Sequence, residues 1–171
     1  MTDELPDSAR RAFEAHDAYA PRDGAFELTT TRFEGIVTAE ETDDWALRYT
    51  VEVRAPTLSA AVVGDVGPAV EEGWFETYER RLEDAPKATR ESVELDAFDV
   101  AETDEEAVAT FVFEFGNAER AADVAKAFVE YAEGTYMEGV VPGYEYRGVV
   151  ADMLEQASQS GAESSRGGMP L

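Results

Sequence analysis

Cysteine is absent from this chain of 171 residues, which excludes disulfides, a thiol nucleophile and a Cys-ligated zinc site. Histidine is almost absent too, with His16 alone. It neighbours Glu14 and Asp17 on an expected first helix, where a solvated side chain is the simpler reading and acid–base work the sharper one. Lysine is scarce: among 14 basic residues only Lys87 and Lys126 are lysines. No apolar run approaches the ~20 residues of a membrane-spanning helix. Met1 to Pro6 is acidic and lacks the basic and apolar regions of a secretory signal, so a cytoplasmic protein is expected. No serine sits in a Gly-x-Ser-x-Gly elbow, and no Gly-x-x-x-x-Gly-Lys phosphate loop occurs. Gly134, Gly139 and Gly143 are spaced for turns rather than for either phosphate fingerprint.

What the chain has in abundance is acid. Asp and Glu number 38, for a net charge of −24. Self-repulsion on that scale opposes a compact state unless salt screens it. At ~1 M ionic strength the Debye length falls to about 3 Å, and neighbouring carboxylates nearly stop interacting. The hydrophobic share is an ordinary 44% and aromatics are 11%, so a folded core inside an acidic shell is expected, not a disordered acidic chain. The acid is spread along the sequence, which suits a potassium-rich salt solution as working solvent. The charge excludes nucleic acid, which needs clustered Lys and Arg, and anionic membranes for the same reason. No cofactor is implied.

The spacing predicts a first helix from Asp7, carrying Ala12, Phe13, Ala15 and Tyr19 on one side and ending at Pro21 and Gly24. Strands follow at Phe26–Thr29 and Phe33–Thr38, with a bulge at Gly35. Trp45, Leu47, Tyr49, Val51 and Val53 alternate with polar residues as a half-buried antiparallel strand. Leu58 to Val63 reads as a short strand or a packed loop. Pro68 opens a helix with Val70, Trp74, Phe75, Tyr78 and Leu82 at helical period. Val93–Val100, with a phase shift suggesting a bulge, and Ala107–Phe115 form a hairpin. Asn117 caps a helix that ends at Gly134, and a last helix spans about Tyr146 to Ala157. The fold expected is α+β: a single twisted antiparallel sheet of about five strands with helices packed on one face, in the order α-β-β-β-α-β-β-α-α. Residues 1–157 form one domain, and the Ser/Gly-rich 158–171 is expected to be a disordered tail.

Acid clusters at Glu40–Asp44 and Asp104–Glu106 lack the pattern of a calcium loop and read as hydrated turns. The most distinctive stretch is the Gly-rich aromatic connector. Tyr136, Tyr144, Tyr146 and Arg147 there form a possible contact surface, apolar in body and polar at the tip. Catalytic, cofactor-binding and metal-binding residues are not assigned.

The whole chain resembles a haloarchaeal family, a domain of unknown function. The resemblance rests on the lysine-poor acidic composition, on Pro6-Asp7-Ser8-Ala9-Arg10-Arg11-Ala12-Phe13 and on Gly143-Tyr144-Glu145-Tyr146-Arg147-Gly148-Val149-Val150. It carries over no functional residue. The element order is similar to the type III secretion chaperone-like fold shared with YbjN-like proteins. That likeness implies polypeptide binding, often by dimers, without chemistry; the extra final helix and tail depart from it. Three functional readings follow in order. The first is a non-enzymatic cytoplasmic binding protein that engages a protein partner or forms a homodimer. The second is a small-ligand binder with a pocket between the sheet and the C-terminal helices. The third is an enzyme using carboxylates, for which a partly buried acid of raised pKa would be the sign.

Overall fold

The computed structural model describes residues 5–167, with side chains described to residue 159. It contains α1 (Asp7–Glu14), β1 (Tyr19–Arg22), β2 (Ala25–Leu28), β3 (Glu34–Glu41), β4 (Leu47–Pro56), α2 (Leu58–Ala61), α3 (Pro68–Leu82), β5 (Ala97–Glu102), β6 (Glu106–Phe115), α4 (Ala118–Glu138) and α5 (Gly148–Gly167). One antiparallel sheet of six strands has the order β1-β2-β3-β4-β6-β5. The fold is therefore α+β as expected, with one more strand than the sequence pattern suggested.

The added strand is β1. Arg22 pairs with Ala25, so Asp23 and Gly24 form a two-residue loop, with φ of 37° and 77°. Positive φ at both positions is the type I′ hairpin turn that Asp-Gly favours. Tyr19 consequently stands on a strand and not on the first helix. Pro21 is tolerated there because β1 is an edge.

Residues 47, 49, 51, 53 and 55 of β4 and 107, 109, 111 and 113 of β6 point to the core, and Tyr49, Val51, Val53, Phe111 and Phe113 are wholly buried. Above them lies α4. Its Phe128 ring centroid is 5.4 Å from Phe111 and 5.3 Å from Phe113. Gly35 is no bulge, because β3 pairs with β4 without interruption from Glu34–Arg54 to Glu41–Leu47. Its missing side chain makes room for α4 instead: a Cβ on Gly35 would lie 2.7 Å from Val129 Cγ1. The second expected bulge is also absent. β5 begins only at Ala97 and pairs in register to Glu102–Ala107, so the phase shift in the sequence marks where the strand starts.

The connection from β4 crosses β6 and delivers β5 to the far edge, using α2 and α3 on the way. Helix α4 continues past Gly134 to Glu138. A mid-helix glycine costs about 1 kcal/mol against alanine, and burial of Thr135 and Tyr136 in the next turn outweighs it. Helix α5 likewise continues through 158–167, since propagating a formed helix is cheap. The expected disorder of 168–171 lies outside the described residues. No helix among the described residues is long and apolar enough to cross a membrane.

Candidate functional site

The contact residues expected in the connector divide between burial and the surface. Tyr136 is on α4 and 1% exposed, so it belongs to the core and not to a contact lip. Its hydroxyl donates to the Pro56 carbonyl at 2.9 Å. Tyr144 and Tyr146 are half-buried and Arg147 is exposed. The Tyr146 hydroxyl accepts from the Val141 amide at 2.9 Å and donates to the Val141 carbonyl at 2.7 Å. The chain around Tyr146 is held against α2 by an isolated bridge to Val62 and by Arg147, whose amide donates to the Ala61 carbonyl at 2.8 Å. Arg147 Nε also donates to the Ala60 carbonyl at 3.0 Å. The connector is thus a fixed wall.

That wall faces α3 across a groove of about 340 Å³. Its floor is aromatic. Trp74 and Tyr78, one turn apart on α3, stack at 5.5 Å and 13°. Tyr136 meets both edge-on, at 5.5 and 5.7 Å, and meets Phe33 at 4.8 Å. Burial holds the Tyr78 hydroxyl well above the usual phenol range, and Glu133 adds to it. Tyr136 is raised first by burial and then by Tyr78, Tyr146 and Glu71. Both stay neutral hydrogen-bonding groups at any physiological pH. The Tyr78 hydroxyl is buried and has no hydrogen-bond partner among the described residues.

A wider cleft of about 720 Å³ opens where the sheet end meets α2 and the start of α5. Arg32, Arg54 and Arg147 line it among Glu34, Glu105 and Glu106. Ser59 on its edge points to an arrangement the sequence does not disclose. The Ser59 amide donates to Glu71 Oε1 at 2.8 Å, and its hydroxyl donates to the same oxygen. Glu71 therefore caps the first turn of α2 from α3. Its other oxygen is buried. Glu102, on β5, has its carboxyl raised by burial first and then by the neighbouring Glu71. The pair joins residues from separate elements, so no local spacing could have signalled it.

The face of the sheet opposite the helices carries ion pairs. Arg48 lies 2.9 Å from Glu114 and 3.5 Å from Glu40. Arg54 lies 2.9 Å from Glu52 and 3.1 Å from Glu106, and Arg22 lies 3.2 Å from Glu34. Between these pairs run half-buried Ile36, Thr50, Val108, Thr110 and Val112. At one end of the sheet Trp45 is 79% exposed. Its expected place in the core is overturned because strand pairing starts only at Leu47. The preceding turn is fixed by Thr42, which donates to the Ala46 carbonyl at 2.7 Å and accepts from the Asp44 amide at 3.0 Å. The indole rests on Gly116, where a Cβ would collide with its ring.

His16 is a staple between elements. Its Nδ1 accepts from the Ala18 amide at 3.1 Å, which leaves Nε2–H to donate to Asp123 at 2.8 Å. Among the described residues, no three acidic or histidine side chains converge as metal ligands, at Glu40–Asp44, at Asp104–Glu106 or elsewhere.

No curated protein and no solved structure matches the chain. A family model does match, over residues 14–156, and the stretch Gly143–Val150 lies inside that span. The chain belongs to this family, described as a family of unknown function (DUF5813).

Proposed function

We propose that this chain is a non-enzymatic binding protein of a salt-rich cytoplasm, and that it engages another polypeptide or a second copy of itself. The observation that carries the reading is Trp45, a tryptophan 79% exposed at the tip of a hairpin. Tryptophan is the residue most enriched at binding hot spots, and leaving it in water forfeits a large apolar area. Half-buried Leu47 and Phe115 pair beside it at the margin of the core. The likeness in element order to the chaperone-like fold supports the same reading, with β1, α2 and the final helix α5 as additional elements. The charge of −24 supports the salt-rich setting.

A small-ligand reading has the cleft between sheet and α5 in its favour, but the guanidiniums there are already engaged. Arg54 serves Glu52 and Glu106, Arg32 donates to Gln156, and Arg147 donates to Ala60. A carboxylate enzyme would have to use Glu71 and Glu102, yet Glu71 is committed to capping α2.

The test is sedimentation equilibrium in multimolar KCl, with Trp45→Ala beside the wild type. A concentration-dependent dimer lost in the variant identifies the partner as a second copy. A monomer that cross-links from a photoreactive residue at position 45 to one polypeptide of the lysate identifies a foreign partner. A monomer without such a cross-link refutes the reading.

A further inference from the structure

We propose that a second copy of this chain is the partner of Trp45, and that the two copies exchange tryptophans: each indole enters the cleft between α1 and the start of α4 of the other. The inference rests on the self-associating form of the binding reading above. The cleft measures about 640 Å³ and is open to a partner, since Ser8, Arg11, Ala15, Asn117 and Glu119 on its lining are exposed. Gly116 lines it and also lies under the Trp45 ring. Key and cleft therefore abut. A two-fold axis beside Gly116 brings each indole to the other cleft, and the assembly closes at two copies because such a patch contacts itself.

The cleft matches each part of an indole. Ala12, Ala15 and Ala118 give apolar surface without bulk. Arg11 makes no ion pair among the described residues, which leaves its guanidinium free to lie over a ring face. Tryptophan offers the best face for a cation. Glu119 and Asp123 set exposed carboxylates on the same lining, where the indole N–H needs an acceptor. Charge points to the same pairing. Asp43 and Asp44 precede Trp45 on the exposed tip, and Arg11 is the cation they would meet, whereas Arg22, Arg48 and Arg54 already serve glutamates of the sheet. Two chains of −24 repel one another in dilute buffer. At ~1 M salt the Debye length of about 3 Å leaves only such contact pairs. Two indoles of about 150–250 Å² each, with the cleft surface that covers them, come to roughly 600–1,000 Å². That is the low end for a specific interface, so a weak dimer with a Kd on the order of 10 μM is expected.

The experiment is sedimentation equilibrium of the full chain in multimolar KCl, with Trp45→Ala, Ala15→Glu and an equimolar mixture of the two. Position 15 is exposed, so the second variant should keep the wild-type circular dichroism while its carboxylate fills the cleft and pairs with Arg11 one turn back. Each variant alone lacks both reciprocal contacts and should dimerise at least about a hundredfold more weakly than the wild type. The mixture restores one contact, between the tryptophan of Ala15→Glu and the intact cleft of Trp45→Ala, and should fall only about tenfold short. Arg11→Ala leaves the cleft open and should weaken the dimer about tenfold. A monomeric wild type overturns the proposal, even where a cross-link from position 45 to a foreign polypeptide upholds the binding reading. A dimer that Trp45→Ala disrupts but Ala15→Glu or Arg11→Ala leaves at full strength overturns it and spares that reading. A mixture no stronger than its components, or growth beyond two copies, overturns it as well.

Discussion

Tyr136 and Pro56, 80 residues apart, are joined by a 2.9 Å hydrogen bond from the phenol to the carbonyl. The bond fixes the last turn of α4 to the end of β4, where the chain leaves the sheet for α2. Tyr136→Phe keeps the ring and leaves the carbonyl of Pro56 without this donor. A loss of about 1–3 kcal/mol is expected, read from denaturant unfolding in KCl. Tyr136→Ala also empties the centre of the aromatic cluster and should cost about 3–5 kcal/mol.

Gly35 and Val129 meet with no room to spare. Gly35→Ala would place its Cβ 2.7 and 2.9 Å from the two methyl groups of Val129. Overpacking of that kind costs about 1–3 kcal/mol. In a Val129→Ala background the same substitution should cost less than half as much. A double-mutant cycle measures the coupling, and additivity would show that the close approach does not constrain the helix.

The Glu71–Glu102 contact predicts a pH dependence with a definite sign. The folded state raises Glu102 above its ordinary value of 4.5, so it holds the proton more tightly than the unfolded chain. The stabilisation is complete below that ordinary value and is lost as pH rises through the raised one. Glu102→Gln removes the charge that burial and Glu71 disfavour. Its melting temperature should exceed that of the wild type at pH 8, and the two should converge in acid. Parallel pH profiles would contradict a raised Glu102.

Salt should act on the whole molecule. At −24, dilute buffer leaves the carboxylates unscreened, and multimolar KCl removes most of their repulsion. The ion pairs of Arg22, Arg48 and Arg54 weaken in the same salt, but exposed pairs of this kind add little to stability. The melting temperature is therefore expected to climb through a KCl series, followed by circular dichroism. A flat series would remove the salt-adapted reading.

Strands β4 and β6 and helix α3 were legible because their burial follows a simple period: Tyr49, Val51 and Val53 on one side, and Trp74, Tyr78 and Leu82 on one stripe. What periodicity omits is where a covering layer stops. Trp45 continues the alternation of β4, yet lies beyond the start of strand pairing. Gly35 and Gly134 read as a bulge and a helix end, because glycine signals permission and not the reason it is used. Asp23-Gly24 was a hairpin signal in plain sight, masked by the apolar stripe of α1 that runs into Tyr19. The groove and the carboxyl pair were beyond sequence reasoning, since Tyr78 meets Tyr136, and Glu71 meets Glu102, only after the crossover between β4 and β5 is made.

That crossover leaves the sheet with a single seam. β1 to β4 form one meander and β5 with β6 one hairpin, each assembled from neighbours in sequence, and only the β4–β6 ladder joins them. Closing it brings together partners as distant as Arg48 and Glu114, so a slow loop closure separates two quick local events. A chain cut in the exposed turn at Gly64–Gly67, between the two halves, would yield fragments that each hold their own strand pairs and reunite along the β4–β6 ladder and the surface where α4 covers it.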